Sequence, residues 1–174
     1  MSQPVTVHLA PRFTAPEALE IARALYGVDG EAEALPSERD QNFKLVTPGG
    51  EAFVLKIANA AERREVLDFE NQAMAHVARR APRLGVAKLV PTLGGESIAT
   101  VEGPASEDGP EEARASHFVR LLTWVAGKPL ALVKPHSEAL LVNVGRAVGE
   151  LSRALEGFEH PAMHRPFPWD LART

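Results

Sequence analysis

The sequence predicts an α+β domain built on an antiparallel sheet. Three strand-like pieces, Glu31 to Leu35, Asn42 to Thr47 and Ala52 to Ile57, follow one another across short turns instead of helices. One long amphipathic stretch, Ala60 to Arg80, separates them from two later strand-like pieces. The resulting order of helix, three strands, helix, two strands, connector and helix is that of an α+β layer, not of a parallel βαβ fold.

The first helix announces itself at Thr14-Ala15-Pro16-Glu17. Thr14 can cap, Pro16 suits the first turn, and Glu17 completes a capping box. Leu19, Ala22, Leu25 and Tyr26 repeat at helical spacing, and Gly27 stops the run. Pro48-Gly49-Gly50 is a turn that makes an antiparallel hairpin of the second and third strands. The Ala60–Arg80 helix ends before Pro82, and Glu96 to Val101 follows Gly94-Gly95 as another strand. Gly103 to Arg114 is acidic and rich in Gly, Pro, Ala and Glu, the composition of a loop. His117 to Val125 is an apolar strand leading to Ala126-Gly127-Lys128-Pro129. Ser137 to Leu155 is a second long helix, with Leu140, Leu141, Val144, Val148, Leu151 and Leu155 on one side. The tail from His160 to Asp170 has no regular period.

The 174 residues suffice for one domain, or for a small lobe and part of a second. A net charge of −4 without a Lys/Arg cluster argues against a nucleic-acid partner. Absence of cysteine removes disulfides and thiolate metal sites. No apolar run approaches the roughly 18 residues of a membrane helix, and the first residues lack a signal-peptide pattern. The expectation is a cytoplasmic protein with no membrane partner.

Lys56 is the most informative residue. It lies in the apolar, β-branched run Phe53-Val54-Leu55-Lys56-Ile57, where an ammonium is costly unless it meets an anion. On the following helix, with Val66 at zero and about 100° per residue, Glu70 falls at about 40°, inside the apolar face. Glu65 falls on the other side, and Glu62 at the margin. A carboxylate at Glu70 requires a cation, and Lys56 is the candidate. The pair is a kinase-type grip on phosphates, or a structural ion pair without function, or else the true phase of the helix keeps Glu70 at the rim. Leu35 to Phe43 forms a polar turn in which Ser37, Asn42 and backbone N–H groups can meet phosphates, or simply a hairpin turn without glycine. His117 to Val125 is either a core strand or a strand whose end, with Leu122 and Trp124, borders a purine ring. The six histidines show no ligand spacing, and no GxSxG is present.

Taken together, Leu35-Pro36-Ser37 with Asp40-Gln41-Asn42-Phe43, the Phe53–Ile57 run, Glu70-Asn71-Gln72 and Val119-Arg120-Leu121-Leu122-Thr123 through Gly127 resemble the hydroxylysine kinase-like branch of the aminoglycoside phosphotransferase/choline kinase family. Pro166-Phe167-Pro168-Trp169-Asp170-Leu171 fits the same branch. The resemblance implies a protein-kinase-like amino-terminal lobe, a five-stranded antiparallel sheet with one long helix, over residues 1–126. Residues 127–174 would be the connector and the first helix of a helical carboxy-terminal lobe. It implies Lys56 and Glu70 as catalytic residues, the lysine on the phosphates of ATP or GTP and the glutamate orienting it. Ser37, Asp40, Gln41 and Asn42 would cover the phosphates, and Leu122, Thr123 and Trp124 would line the base.

The family's His-Gly-Asp motif, with the Asn and Asp that follow it, does not occur. Asp29, Asp40, Asp68, Asp108 and Asp170 all stand elsewhere in the pattern. The expectation is therefore a fragment, inactive alone, whose Mg ligands lie outside this chain. Its parent would be a phosphotransferase acting on the hydroxyl of an amino-alcohol or hydroxy-amino acid, with a fused downstream domain such as an aminotransferase among the possibilities. The alternative is a non-catalytic docking module of a larger protein.

Overall fold

The computed structural model describes residues 10–104 and 114–165. The chain forms helix α1 (Ala15–Tyr26), strands β1 (Glu31–Leu35), β2 (Gln41–Val46) and β3 (Ala52–Ile57), helix α2 (Arg64–Arg80), strands β4 (Leu89–Val90), β5 (Ala99–Pro104) and β6 (Arg114–Thr123), and helix α3 (Glu138–Ala154). Short 3-10 turns occupy Pro82–Leu84, Leu130–Leu132 and Pro161–His164. The sheet is antiparallel in every pairing, in the order β1-β2-β3-β6. Strand β6 is long enough to hold β5 and β4 end to end along its outer edge. The sheet thus has six strands where five were expected. The extra one, β4, is two residues long and offers too little periodicity to be read from sequence.

Strand alternation divides the sheet into two faces. Phe43, Leu45, Leu55, Ile57, Val119 and Leu121 point to one face and pack with Phe13, Ala18, Ala22 and Tyr26 into the main core. Helix α1 covers this side. Its capping box forms as expected: Thr14 N–H donates to Glu17 Oε2 at 2.7 Å and Glu17 N–H to Thr14 Oγ1 at 3.4 Å. Gly27 ends it in the left-handed region at φ +68°. The opposite face carries Asn42, Lys44, Val54, Lys56, Arg120 and Leu122, and α2 crosses this side. Leu67 anchors that helix in a smaller cluster with Ala58, Ile98 and Phe118.

Several boundaries differ from expectation for identifiable reasons. Helix α2 begins at Arg64, four residues later than Ala60, because Asn59 captures the preceding chain. Its Oδ1 accepts from Ala61 N–H at 2.9 Å and its carbonyl from Glu62 N–H at 2.9 Å. Strand β5 begins at Ala99 instead of Glu96 because residues 92–96 close a turn, with Thr92 Oγ1 accepting from Glu96 N–H at 3.0 Å. The expected loop from Gly103 to Arg114 lies outside the described residues except at its ends. There Gly103 pairs with Ala115 and Pro104 with Arg114, which extends the β5–β6 hairpin into the low-complexity stretch. A Cβ at Gly103 would collide with the Phe13 ring, so a glycine read as a loop signal is a packing requirement.

Helix α3 starts on its Ser137 cap and touches the rest of the molecule near its end, where Ala154 meets Val77 and Ala81. Its apolar side is largely exposed, with Leu141 at 52% and Val148 at 57%. The segment after α3 returns to α2. Phe158 lies 6.0 Å from Phe69 and 5.2 Å from His76, ring to ring, and His160 Nε2 lies 3.3 Å from Asp68 Oδ2. The tail beyond residue 165, including Phe167 and Trp169, is outside the described residues.

Candidate functional site

The β2–β3–β6 register places Asn42, Lys56 and Arg120 side by side across three strands, all on the α2 face. From Lys56 a hydrogen-bonded chain runs toward the β1–β2 turn. Lys56 Nζ donates to Asn42 Oδ1 at 3.0 Å, and Asn42 Nδ2 donates to Ser37 Oγ at 2.9 Å. Asp40 also stands near Lys56 and favours its charge, while its Oδ1 accepts from Asn59 N–H at 3.1 Å. Burial is the main influence on Lys56 and holds its pKa below the ordinary lysine value; Arg120 pushes the same way, and Asp40 and Glu70 oppose both.

The expected ion pair between Lys56 and Glu70 is not formed. Glu70 Oε2 accepts from the Arg120 guanidinium at 2.6 Å. Glu70 falls within the arc of Val66, Leu67, Asn71 and Val77, the buried residues of α2, yet its side chain is 44% exposed and stands at the rim of that face, not in the core. What differs is the partner. Arg120, on the strand next to Lys56, presents its guanidinium to α2 and reaches the carboxylate. Arg120 also donates to Asn71 Oδ1 at 2.8 Å and to the Leu67 carbonyl at 3.2 Å, and it is 2% exposed. In the sequence Arg120 stands out only as part of the Val119–Thr123 motif. A lone arginine between Val119 and Leu121 is the same kind of signal that singled out Lys56.

Gln41 does not belong to the Lys56 cluster. It pairs with Ile57, so its side chain falls on the α1 side. There its amide accepts from Phe13 N–H and donates to the Phe13 carbonyl, both at 2.7 Å. It fastens the chain leading into α1, and alternation alone excludes it from the face that holds Asn42. Leu122 pairs with Val54 on the Lys56 face and is buried. Trp124 continues that face, with Lys44 Nζ 4.8 Å from its ring centre. Thr123 is engaged with the β4 side: its Oγ1 accepts from Lys88 N–H and its N–H donates to the Lys88 carbonyl, both at 2.9 Å. The Trp124 N–H is likewise committed to the Ala52 carbonyl at 3.0 Å. Lys44 and Asn59 are site-proximal residues that the sequence reading passed over. Lys44 carries no motif of its own, and Asn59 immediately precedes Ala60, the expected helix start.

The site-bearing face therefore has two ends. Ser37, Asn42 and Lys56 form a polar end that can meet an anion, and Val54, Leu122 and Trp124 form an apolar end that can meet a flat ring. Among the described residues no group of His, Asp and Glu is arranged to hold a metal ion, and no helix is long and apolar enough to cross a membrane.

The profile of the phosphotransferase enzyme family matches residues 31–174. Hydroxylysine kinase of Bos taurus is 32% identical over 173 residues, covering 92% of this chain and 44% of that protein. Hydroxylysine kinase of Mus musculus is 31% identical, again covering 92% and 44%. Among solved structures, amicoumacin kinase hAmiN in complex with AMP-PNP, Ca2+ and Ami superposes with a TM-score of 0.69 at 14% identity, over 90% of this chain and 45% of that one. A microcompartment-associated aminopropanol kinase superposes at 0.62 and 18% identity, over 89% and 45%. The chain thus spans less than half the length of the relatives it matches, and its fold is that of the amino-terminal region of such kinases. By the family profile that takes in most of its length, this chain belongs to the phosphotransferase enzyme family.

Proposed function

We propose that this chain is the nucleotide-binding lobe of a small-molecule kinase, which transfers phosphate from ATP or GTP to a hydroxyl of an amino-alcohol or hydroxy-amino acid such as hydroxylysine. The observation that carries the reading is the single face on which Ser37, Asn42 and Lys56 are joined by hydrogen bonds while Val54, Leu122 and Trp124 line up beyond them. Phosphates of a nucleotide would replace Asn42 as the partner of Lys56, and the base would lie toward Leu122 and Trp124. Catalysis in such a site is positioning and charge neutralisation, with the lysine a fixed cation for the phosphates. The AMP-PNP in the hAmiN complex supports a nucleotide ligand, and the name shared by the mammalian relatives supports the acceptor class. The acceptor contacts, the base that activates the hydroxyl and the Mg ligands would come from polypeptide outside this chain, and the compartment would be the cytoplasm.

A second reading is a kinase-like docking module of a larger protein. The exposed apolar side of α3 favours it, since such a face suits a neighbouring domain. Calorimetry with Mg-ATP and Mg-GTP on the intact protein separates the two. Saturable binding that Lys56→Met abolishes supports the kinase lobe; absence of binding supports the docking module.

A further inference from the structure

We propose that Arg39 is a phosphate-binding residue of the site: its guanidinium exchanges the Glu62 carboxylate for the phosphates of the nucleotide. The inference rests on the nucleotide-binding reading and goes beyond it by adding a second cation, on the β1–β2 turn, to the one on β3.

Three observations support it. First, Arg39 lies in the turn that carries the polar end of the site. Ser37 and Asn42, joined at 2.9 Å, close this turn, and Asn42 accepts from Lys56 at 3.0 Å. The backbone around Arg39 is fixed by Asn59: the Arg39 carbonyl accepts from its Nδ2 at 3.2 Å, and Asp40 Oδ1 accepts from its N–H at 3.1 Å. Second, the Arg39 guanidinium is under-engaged. Its Nε is buried and makes no hydrogen bond, and its ion pair with Glu62 is loose, with 3.7 Å between Nη2 and Oε2. That separation is beyond a hydrogen bond, and a buried donor without an acceptor is costly. A phosphate, with several acceptor oxygens in fork geometry, fills the guanidinium better than a distant carboxylate does. The side chain is 42% exposed, so a change of partner opens no core. Third, Glu62 does not depend on Arg39. Its Oε1 accepts from Arg63 N–H at 3.0 Å, and it stands at the start of α2, where the helix end favours an anion. Departure of the guanidinium therefore strands no carboxylate. A half-exposed ion pair is weak beside a charge-assisted bond to phosphate, so the phosphate wins the exchange.

The test is calorimetry with Mg-ATP and Mg-GTP on the intact protein, comparing wild type, Arg39→Met, Glu62→Gln and the double variant. Arg39→Met should weaken both nucleotides about tenfold or more, and by a similar factor, because the phosphates are common to both. Glu62→Gln keeps an acceptor for Arg63 N–H but removes the competing charge, and it should tighten binding about two- to fivefold. In the double variant this gain should vanish, because no arginine remains to be released. A merely structural tie between the turn and α2 gives a different pattern: both single changes loosen the turn, and both weaken binding.

Arg39→Met binding within about twofold of wild type, or Glu62→Gln binding no tighter than wild type, overturns the proposal. Where Arg39→Met does not fold, Glu62→Gln decides. If Lys56→Met abolishes binding while Arg39→Met leaves it untouched, the proposal fails and the nucleotide reading stands. If the wild type binds neither nucleotide, the nucleotide reading fails and the proposal with it.

Discussion

Arg120 and Glu70 meet at 2.6 Å across the space between β6 and α2, and Lys56, the cross-strand neighbour of Arg120, rests on Asn42 at 3.0 Å. The sheet therefore presents two cations side by side with different tasks. One is buried and ties the helix to the sheet. The other is held by a neutral amide on the face that leads to Leu122 and Trp124.

Lys56→Met should lower phosphoryl transfer by the protein carrying this chain on the order of a hundredfold or more, the scale seen when one transition-state charge donor is removed. Circular dichroism should remain native. The same substitution should raise stability at neutral pH. Burial holds the folded-state pKa of Lys56 below 10.5, so between that lowered value and 10.5 the unfolded chain binds more protons than the folded one. Wild-type stability consequently rises with pH across this window. The advantage of Lys56→Met should be largest below the window and should shrink as pH approaches 10.5. Melting temperatures of both proteins from neutral to alkaline pH check this, and a pH-independent difference would contradict it.

Tyr26 is the single tyrosine of the chain and gives a direct optical probe. Burial is the chief cause that pushes its phenol up to about 12 from 10.0. Its OH donates to the Val119 carbonyl at 3.3 Å, within the core between α1 and the sheet. An acid whose folded pKa is raised contributes stability that is complete below pH 10 and is lost as pH rises from 10 toward 12. Phenolate absorbance should therefore appear together with loss of helical circular dichroism, and near pH 10 once denaturant is added. Free titration at pH 10 with the fold intact would place Tyr26 outside the core.

Gln41→Ala should cost about 1–2 kcal/mol of stability, since it removes both bonds to the Phe13 backbone in a half-buried setting. Mg-nucleotide affinity of the folded variant should stay near wild type, because Gln41 lies on the far face of the sheet. Asn42→Ala should do the reverse, with a smaller loss of stability and a clear loss of affinity. Denaturant melts combined with calorimetry distinguish the two, and equal effects on affinity would refute the division of faces.

Asn59→Ala should destabilise by about 2 kcal/mol, the cost of leaving buried polar groups without partners. Asn59 is fully buried, accepts from Ala61 N–H and donates to the Arg39 carbonyl at 3.2 Å. It joins the β1–β2 turn to the start of α2. Hydrogen exchange should accordingly speed up in both segments at once, and acceleration in only one would show that they are not linked through Asn59.

Periodicity and turn chemistry determined most of the architecture before any coordinates. The Thr14–Glu17 cap and the Pro48-Gly49-Gly50 hairpin are local properties, set by a few residues, and they stand in the structure as read. The family resemblance was legible for the same reason, because its motifs are short and lie in order along the chain. What only the tertiary structure decided was who meets whom. A helical repeat says that Glu70 faces the sheet but not which strand residue stands opposite. That depends on the β3–β6 register and on the height at which α2 crosses it, and both favour Arg120 over Lys56. Likewise a motif reading groups Gln41 with Asn42, but adjacent strand residues point to opposite faces, so only the paired sheet separates the clamp on Phe13 from the partner of Lys56.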